Sequence, residues 1–254
     1  MFAIDFPPVS HVIEWPEFLF EGTPFAVSKV VVLMWISALI SVGFVILAGR
    51  NFKMVPRPLQ NMGESFYGFI QNGIILETMG PDGLKYTPFL GSVFIFVLSC
   101  NFWGIIPFAQ MPVNARIALP FFLAMLVWVI FVVVGIMKQG PLGYIKNTGF
   151  PPGVPKALYL LVTPIELVST FIVRPLSMFV RLFANMLAGH LLLVSFAVIC
   201  AALWALQPTV VILPFSFALL VALTGFEILV IFLQAFIFTI LAAVYIGSSM
   251  HPEH

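Results

Sequence analysis

The chain is short of charge. Of its 254 residues only 8% are Asp, Glu, Lys or Arg, against 61% hydrophobic, where a soluble domain carries about 25% charged residues. So little charge excludes a soluble globular surface. A net charge of +1 with no basic cluster gives no field for a nucleic-acid partner. Cysteine is scarce too. Cys100 and Cys200 lie in apolar runs, far from any metal or redox spacing, and are expected to be small buried hydrophobes. Basic residues are missing from Met1 to Glu21, which carries Asp5, Glu14, Glu17 and Glu21 instead. A secretory signal begins basic and then turns apolar, so the first apolar run is expected to be a retained membrane helix. No Gly-x4-Gly-Lys-Ser/Thr, His-Glu-x-x-His or Gly-x-Ser-x-Gly occurs, which argues against a nucleotide loop and an intramembrane hydrolase. His190 and Glu227 alone are too few for a metal site, and no cofactor is expected.

What is present is a series of apolar runs. Residues 30–49 make a first transmembrane helix of spanning length. Residues 59–79 mix Gln60, Asn61, Glu64 and Glu77 with Phe66, Phe69, Ile70 and Ile74 near helical spacing; this predicts an amphipathic helix in the interface. Gly80-Pro-Asp-Gly83 is a turn signal. Residues 88–137 read as a transmembrane hairpin, with spans at Pro88–Phe108 and Ile117–Met137, and Gln139 to Pro155 as a loop rich in Gly and Pro. Two longer tracts follow, Ala157–Leu206 and Thr209–Ser248, parted by Gln207-Pro208. The first would be about 75 Å long as one helix, more than twice the ~30 Å hydrocarbon core. Either each tract holds two spans, with Pro164, Pro175 and Gly189 as candidate breaks in the first, or each is one long, strongly tilted helix. Arg50, Lys53, Arg57, Lys85, Lys138, Lys146 and Lys156 fall on one side of this layout, Lys29 and Arg116 on the other. The N-terminus is therefore expected outside and the loop before Ala157 inside.

The long tracts carry polar residues in rows. Glu166, Thr170, Arg174, Ser177, Arg181 and Asn185 recur at steps of four, four, three, four and four, and His190 follows slightly to the side. In the second tract Thr224, Glu227, Gln234 and Tyr245 return to nearly one helix face. Lipid cannot satisfy such rows, so they must face protein or water. Arg181 is the sharpest signal. Its guanidinium cannot shed its charge, and at a bilayer centre it costs roughly 2.5–3.5 kcal/mol or more. If the two tracts turn at Gln207-Pro208, counting back from that turn pairs His190 with Glu227 and Arg181 with Gln234. Plainer roles are available elsewhere: snorkelling for Arg174, neutralising it for Glu166, close packing for Thr170 and Ser177, an interhelical hydrogen bond for Asn101.

Pro175-Leu-Ser-Met-Phe-Val-Arg-Leu-Phe-Ala-Asn-Met-Leu-Ala-Gly-His190 closely resembles subunit a of F-type ATP synthases, which has an arginine followed by Leu-Phe-x-Asn-Met-x-x-Gly. Phe226-Glu-Ile-Leu-Val-Ile-Phe-Leu-Gln-Ala-Phe-Ile-Phe resembles that family's second signature, and the likeness extends to the Asn101–Pro107 stretch. The resemblance implies an all-α polytopic membrane protein: a vertical N-terminal helix, an interfacial helix, a hairpin, then two long tilted helices over residues 157–249 that face a ring of c subunits. It implies b-type stator subunits as further partners, a bacterial plasma membrane, and a C-terminus on the cytoplasmic side. Arg181 matches the stator arginine, Asn185 and Gln234 its polar neighbours, and His190 and Glu227 an acid and a histidine of the outer half-channel. The implied proton path also takes in Ser177, Glu166, Arg174, Asn101 and Tyr245. Some relatives carry acids in the hairpin where this chain has Gly104 and Ala109, so water or Asn101 is expected to substitute. The implied function is a stator that couples proton flow to ring rotation. The rival is a secondary transporter with its own intramembrane site, which would need inverted repeats; no repeat relates the two halves.

Overall fold

A computed structural model describes residues 17–19, 26–49, 58–106, 109–150, 158–204 and 211–250. The basic stretch 50–57, Lys156, the Gln207-Pro208 turn and the C-terminal His251–His254 lie outside the described residues.

Apart from a short antiparallel pair, β1 (Glu17–Leu19) with β2 (Val27–Ser28), the regular structure is helical. The first helix, α1 (Lys29–Gly49), has an inverted pattern. Trp35 and Leu39 are exposed, while Ser37 and Ser41 are buried and bond back to the carbonyls of Leu33 and Ser37. Apolar side chains outward and small polar ones inward is what a lipid solvent selects.

The amphipathic segment is α2 (Pro58–Ile70), which passes through a π turn at Gln71–Ile75 into a last turn, Leu76–Thr78. Its buried face, Ile70, Ile74, Ile75 and Met79, is covered by protein. Phe66 packs on Phe44 and Phe94, and Phe69 on Phe94 and Phe236. A 3-10 turn, Pro81–Tyr86, leads to α3 (Thr87–Phe102). The expected span to Phe108 ends earlier. Trp103 to Ile106 form a turn, in which Gly104 N–H bonds the Asn101 carbonyl at 3.0 Å.

After a 3-10 turn at Val113–Ala115 comes α4 (Ala118–Gln139), then α5 (Pro141–Gly149). The expected loop at 139–155 is thus partly helix. Gly140 takes φ 75 and turns the corner, a conformation glycine adopts freely. Pro141 sits at a first helical position, where no N–H is needed. Tyr144 then docks so closely on Gly135 that a side chain there would strike its ring. Tertiary contact overrides a composition that favours loop.

The first long tract is helical throughout Tyr159–Leu203, 45 residues, or about 68 Å. It comprises α6 (Tyr159–Val168), a π turn at Ser169–Val173 and α7 (Arg174–Leu203). The second is a single helix, α8 (Leu213–Met250). Neither Pro164, Pro175 nor Gly189 breaks its helix, so each tract is one long helix and not two spans. Five helical segments among the described residues are long and apolar enough to cross a membrane.

The chain divides into two compact units. One comprises the described parts of Met1–Ser41, Phe96–Arg116 and Leu182–Ala235; the other comprises those of Val42–Ile95, Ile117–Arg181 and Phe236–His254.

Candidate functional site

On α7 the residues Met178, Leu182, Met186 and His190 are buried, four apart in each case. They form the face that packs against protein. The row Ser177, Arg181 and Asn185 precedes it by one residue each time, about 100° round the helix, and Arg181 and Asn185 are exposed. Arg181 therefore stands on the rim of the packed face among exposed apolar neighbours such as Leu176 and Val180. Arg174 forms an ion pair with Glu166, and no ion pair among the described residues involves Arg181. Arg181 is thus a guanidinium on an apolar helix surface with no carboxylate in ion-pair contact among the described residues.

Within the first unit, α7 and α8 meet at two polar contacts. Asn185 Nδ2 donates to Gln234 Oε1 at 3.0 Å, leaving Gln234 Nε2 buried with no partner among the described residues. Gln234 thus bonds Asn185, one turn beyond the arginine with which counting had paired it. Distance from the turn sets depth but not facing, and Arg181 faces outward. The second contact is at Glu227, which is buried. Its carboxyl lies against Gly189: a Cβ there would fall 2.5 Å from Oε1 and 2.6 Å from Cδ. His190, the next residue, is also buried. No hydrogen bond joins the His190 and Glu227 side chains, and the contact that Glu227 makes is with Gly189. Sequence reasoning overlooked Gly189 except as a possible helix break. Its signal was its place beside His190, at the depth of Glu227.

In the second unit Arg174 is held by α6 and α8. Its Nη2 lies 3.7 Å from Glu166 Oε1, and its guanidinium sits over the Tyr245 ring, 5.4 Å from the centroid. Tyr245 in turn packs on Phe131. The structure therefore brings Glu166, Arg174 and Tyr245 together. Eight residues of α-helix turn about 80° past two full turns, which would splay Glu166 from Arg174. The π turn between them inserts about one extra residue per turn and restores a common face. Thr170, inside that turn, is buried with its hydroxyl unpartnered among the described residues, and Ser177 bonds back to the Arg174 carbonyl at 3.0 Å. Burial pushes the Tyr144 phenol above its ordinary value, against a hydrogen bond from Ser249 and the Arg174 charge, so it is neutral near pH 7.

Asn101 belongs to a different cluster. It is fully buried and accepts from Asn114 Nδ2 at 2.7 Å. Gly104, on the next turn, has Pro112 beside it: a Cβ there would lie 3.2 Å from the Pro112 Cδ, so the loop is shaped around a residue without a side chain.

The chain matches the model of a family described as ATP synthase A chain over residues 31–247. It is 38% identical over 242 residues to ATP synthase subunit a of Rhodococcus erythropolis, covering 94% of this chain and 88% of that one. It is 44% identical over 222 residues to the Frankia alni protein of the same name, covering 86% and 76%. With that of Mesorhizobium japonicum it shares 38% over 247 residues, covering 96% and 95%.

Proposed function

The chain belongs to the ATP synthase A chain family, and from that premise we infer that it works as the stator subunit a of a rotary proton-translocating ATP synthase, with Arg181 as the fixed charge past which a ring of c subunits turns. What carries the reading is Arg181 itself: exposed, without an acidic partner among the described residues, and set in an apolar helix surface. Its counter-charge comes from another molecule.

The physics follows from solvation. A ring carboxylate facing lipid must be protonated, since a bare charge there is too costly. About 4 Å from a guanidinium, at an effective dielectric of about 20, the ionised form gains about 4 kcal/mol, close to a thousandfold shift in the ionisation equilibrium. A ring site therefore releases its proton as it reaches Arg181 and regains one before it re-enters lipid. When the two sides of Arg181 open to opposite faces of the membrane, proton flow and rotation are coupled, and the permanent charge blocks leakage between the two half-channels. Each proton moved yields about 2.3 kcal/mol per 100 mV.

His190 and Glu227 form the proton relay of the outer half-channel. Asn185 and Gln234 hold the two long helices in register beside the arginine. Glu166, Arg174, Ser177 and Tyr245 lie on the inner side of the path. The b-type stator subunits and the rest of the synthase anchor the chain, which lies in a bacterial plasma membrane with its N-terminus outside and its C-terminus in the cytoplasm.

The test is Arg181→Ala. ATP synthesis driven by an imposed proton gradient is expected to vanish in membranes carrying the assembled variant complex. Wild-type rates would sink the assignment.

A further inference from the structure

We propose that helix α5 is an interfacial anchor whose outer face seats on an anionic membrane leaflet, with Leu142 and Ile145 among the acyl chains and Lys138 and Lys146 on phosphodiester headgroups. The inference needs only residence in a membrane and stands apart from the stator reading.

Three hydrogen bonds within the second unit set the depth of α5. Gln139, the last residue of α4, donates through Nε2 to the Ser249 carbonyl at 2.9 Å, one residue from the end of α8. Its Oε1 accepts from Asn147 Nδ2 at 3.0 Å, which draws α5 onto those two helix ends. At the far end of α5 the Gly149 carbonyl accepts from Thr163 Oγ1 at 2.7 Å. Thr163 stands four residues inside α6, about 6 Å along its axis. Leu160 and Leu161 lie nearer the start of α6, and Leu160 is 89% exposed. Leucines so open at the start of a membrane-crossing segment belong in lipid. Helix α5 therefore lies across the ends of membrane helices at the level of the first turn of α6, and does not stand off in water.

Its two faces differ in kind. Tyr144 turns inward onto Gly135. Leu142, Ile145 and Lys146 fall on the opposite side of the helix, and all three are exposed, Leu142 by 83%. Met137 and Lys138, just before the Gly140 corner, are exposed as well. Neither lysine has an ion-pair partner among the described residues, and the chain has no Asp or Glu between Asp82 and Glu166. Bare apolar side chains beside unpaired cations, at the depth of a membrane boundary, are complementary to acyl chains beneath phosphates. Leucine and isoleucine leave water, while each lysine lays its stem on apolar surface and reaches a headgroup with its ammonium.

The test uses the intact synthase carrying Leu142→Cys labelled with bimane, its other accessible cysteines replaced, in vesicles of phosphatidylcholine and phosphatidylglycerol. Brominating the acyl chains of one lipid or the other makes that lipid the quencher. Brominated phosphatidylglycerol is expected to quench the label as though enriched about fivefold or more over the same mole fraction of brominated phosphatidylcholine, the effect of one lysine near an anionic surface. Lys138→Gln with Lys146→Gln, or a rise in salt from about 0.1 M to about 1 M, is expected to bring the two lipids to equal quenching. Equal quenching at low salt with both lysines in place overturns the proposal. So does a label quenched by acrylamide from water and by neither lipid, which puts α5 in the aqueous phase. A label that no quencher reaches overturns it too, because a protein subunit then covers the helix. If the double lysine variant fails to assemble, the salt series on the labelled complex decides. None of these outcomes turns on Arg181, so failure here leaves the stator reading standing, and loss of that reading leaves the anchor.

Discussion

The carboxyl of Glu227 occupies the space that a side chain at Gly189 would need. The two residues sit on different long helices, and a Cβ on Gly189 would come 2.5 Å from Glu227 Oε1. The absence of a side chain lets the helices close over the buried acid. Gly189→Ala is expected to push that carboxyl aside and lower proton-driven ATP synthesis about tenfold or more, since misplacing a proton-transfer group by an ångström is costly. Gly225→Ala is the control. A Cβ at Gly225 meets nothing within 4 Å, and alanine in a helix is favoured over glycine by roughly 0.5–1 kcal/mol, so activity is expected to stay at the wild-type level. Equal effects from the two substitutions would mean that the contact at Gly189 has no role.

His190 and Glu227 are expected to act as one relay. Glu227→Gln should slow proton entry strongly, since an amide cannot titrate. The exchange, His190→Glu with Glu227→His, should retain more activity than either single replacement, because it keeps one group that accepts a proton and one that donates it. Proton-driven ATP synthesis across both singles and the exchange forms a double-mutant cycle. Strictly additive losses would place the two residues on separate paths.

Arg174→Gln is expected to be much milder than Arg181→Ala. It removes a partly exposed ion pair with Glu166, worth about 0–1 kcal/mol, and a stacking contact with Tyr245 worth about 0.5–1 kcal/mol. Tyr245→Phe, which keeps the ring, should be nearly silent in both thermal stability and synthesis rate. Complete loss of synthesis in Arg174→Gln would show that Arg174 has a direct part in proton transfer.

The π turn at Ser169–Val173 makes an unusual prediction about deletions. Removing Ile172 is expected to convert the turn to regular α-helix with Glu166 and Arg174 still on one face, so the complex assembles and synthesises ATP at a reduced but measurable rate. Removing Val180, in regular helix, rotates everything on one side of it by about 100° and swings Arg181 away from its neighbours on the preceding turns. Synthesis should then be lost. If both deletions behaved alike, the π turn would not be setting the register.

The residues legible in sequence were those whose meaning is local. The polar row through Arg181 and Asn185 followed from the helical repeat, and the cost of an arginine among apolar residues marked it out before any fold was known. The resemblance around Arg181 and Gln234 pointed to the family that the comparisons then established. Two kinds of feature escaped. Helix α5 lay hidden under a Gly- and Pro-rich composition because its stability comes from Tyr144 against Gly135, a contact that no local pattern records. The row from Glu166 to Arg174 was counted as though the helix were regular, whereas the π turn supplies the rotation that brings the two together.

Composition and helical period alone show that this chain lives in a membrane, that it is built of helices, and that its long tracts each carry a polar row, the first with two permanent charges, Arg174 and Arg181. These follow from composition and from the 3.6-residue period, and neither depends on a distant residue. Packing sets which way each row faces. Leu182 and Arg181 are neighbours on one turn, yet one is buried and the other exposed, because the helices that cover Leu182 come from elsewhere in the chain. The same holds for the pairing of Gln234 with Asn185, for the seat of Glu227 on Gly189, and for the meeting of Asn101 with Asn114. Helical periodicity says which side chains share a face; what that face meets is settled by packing between segments far apart in sequence.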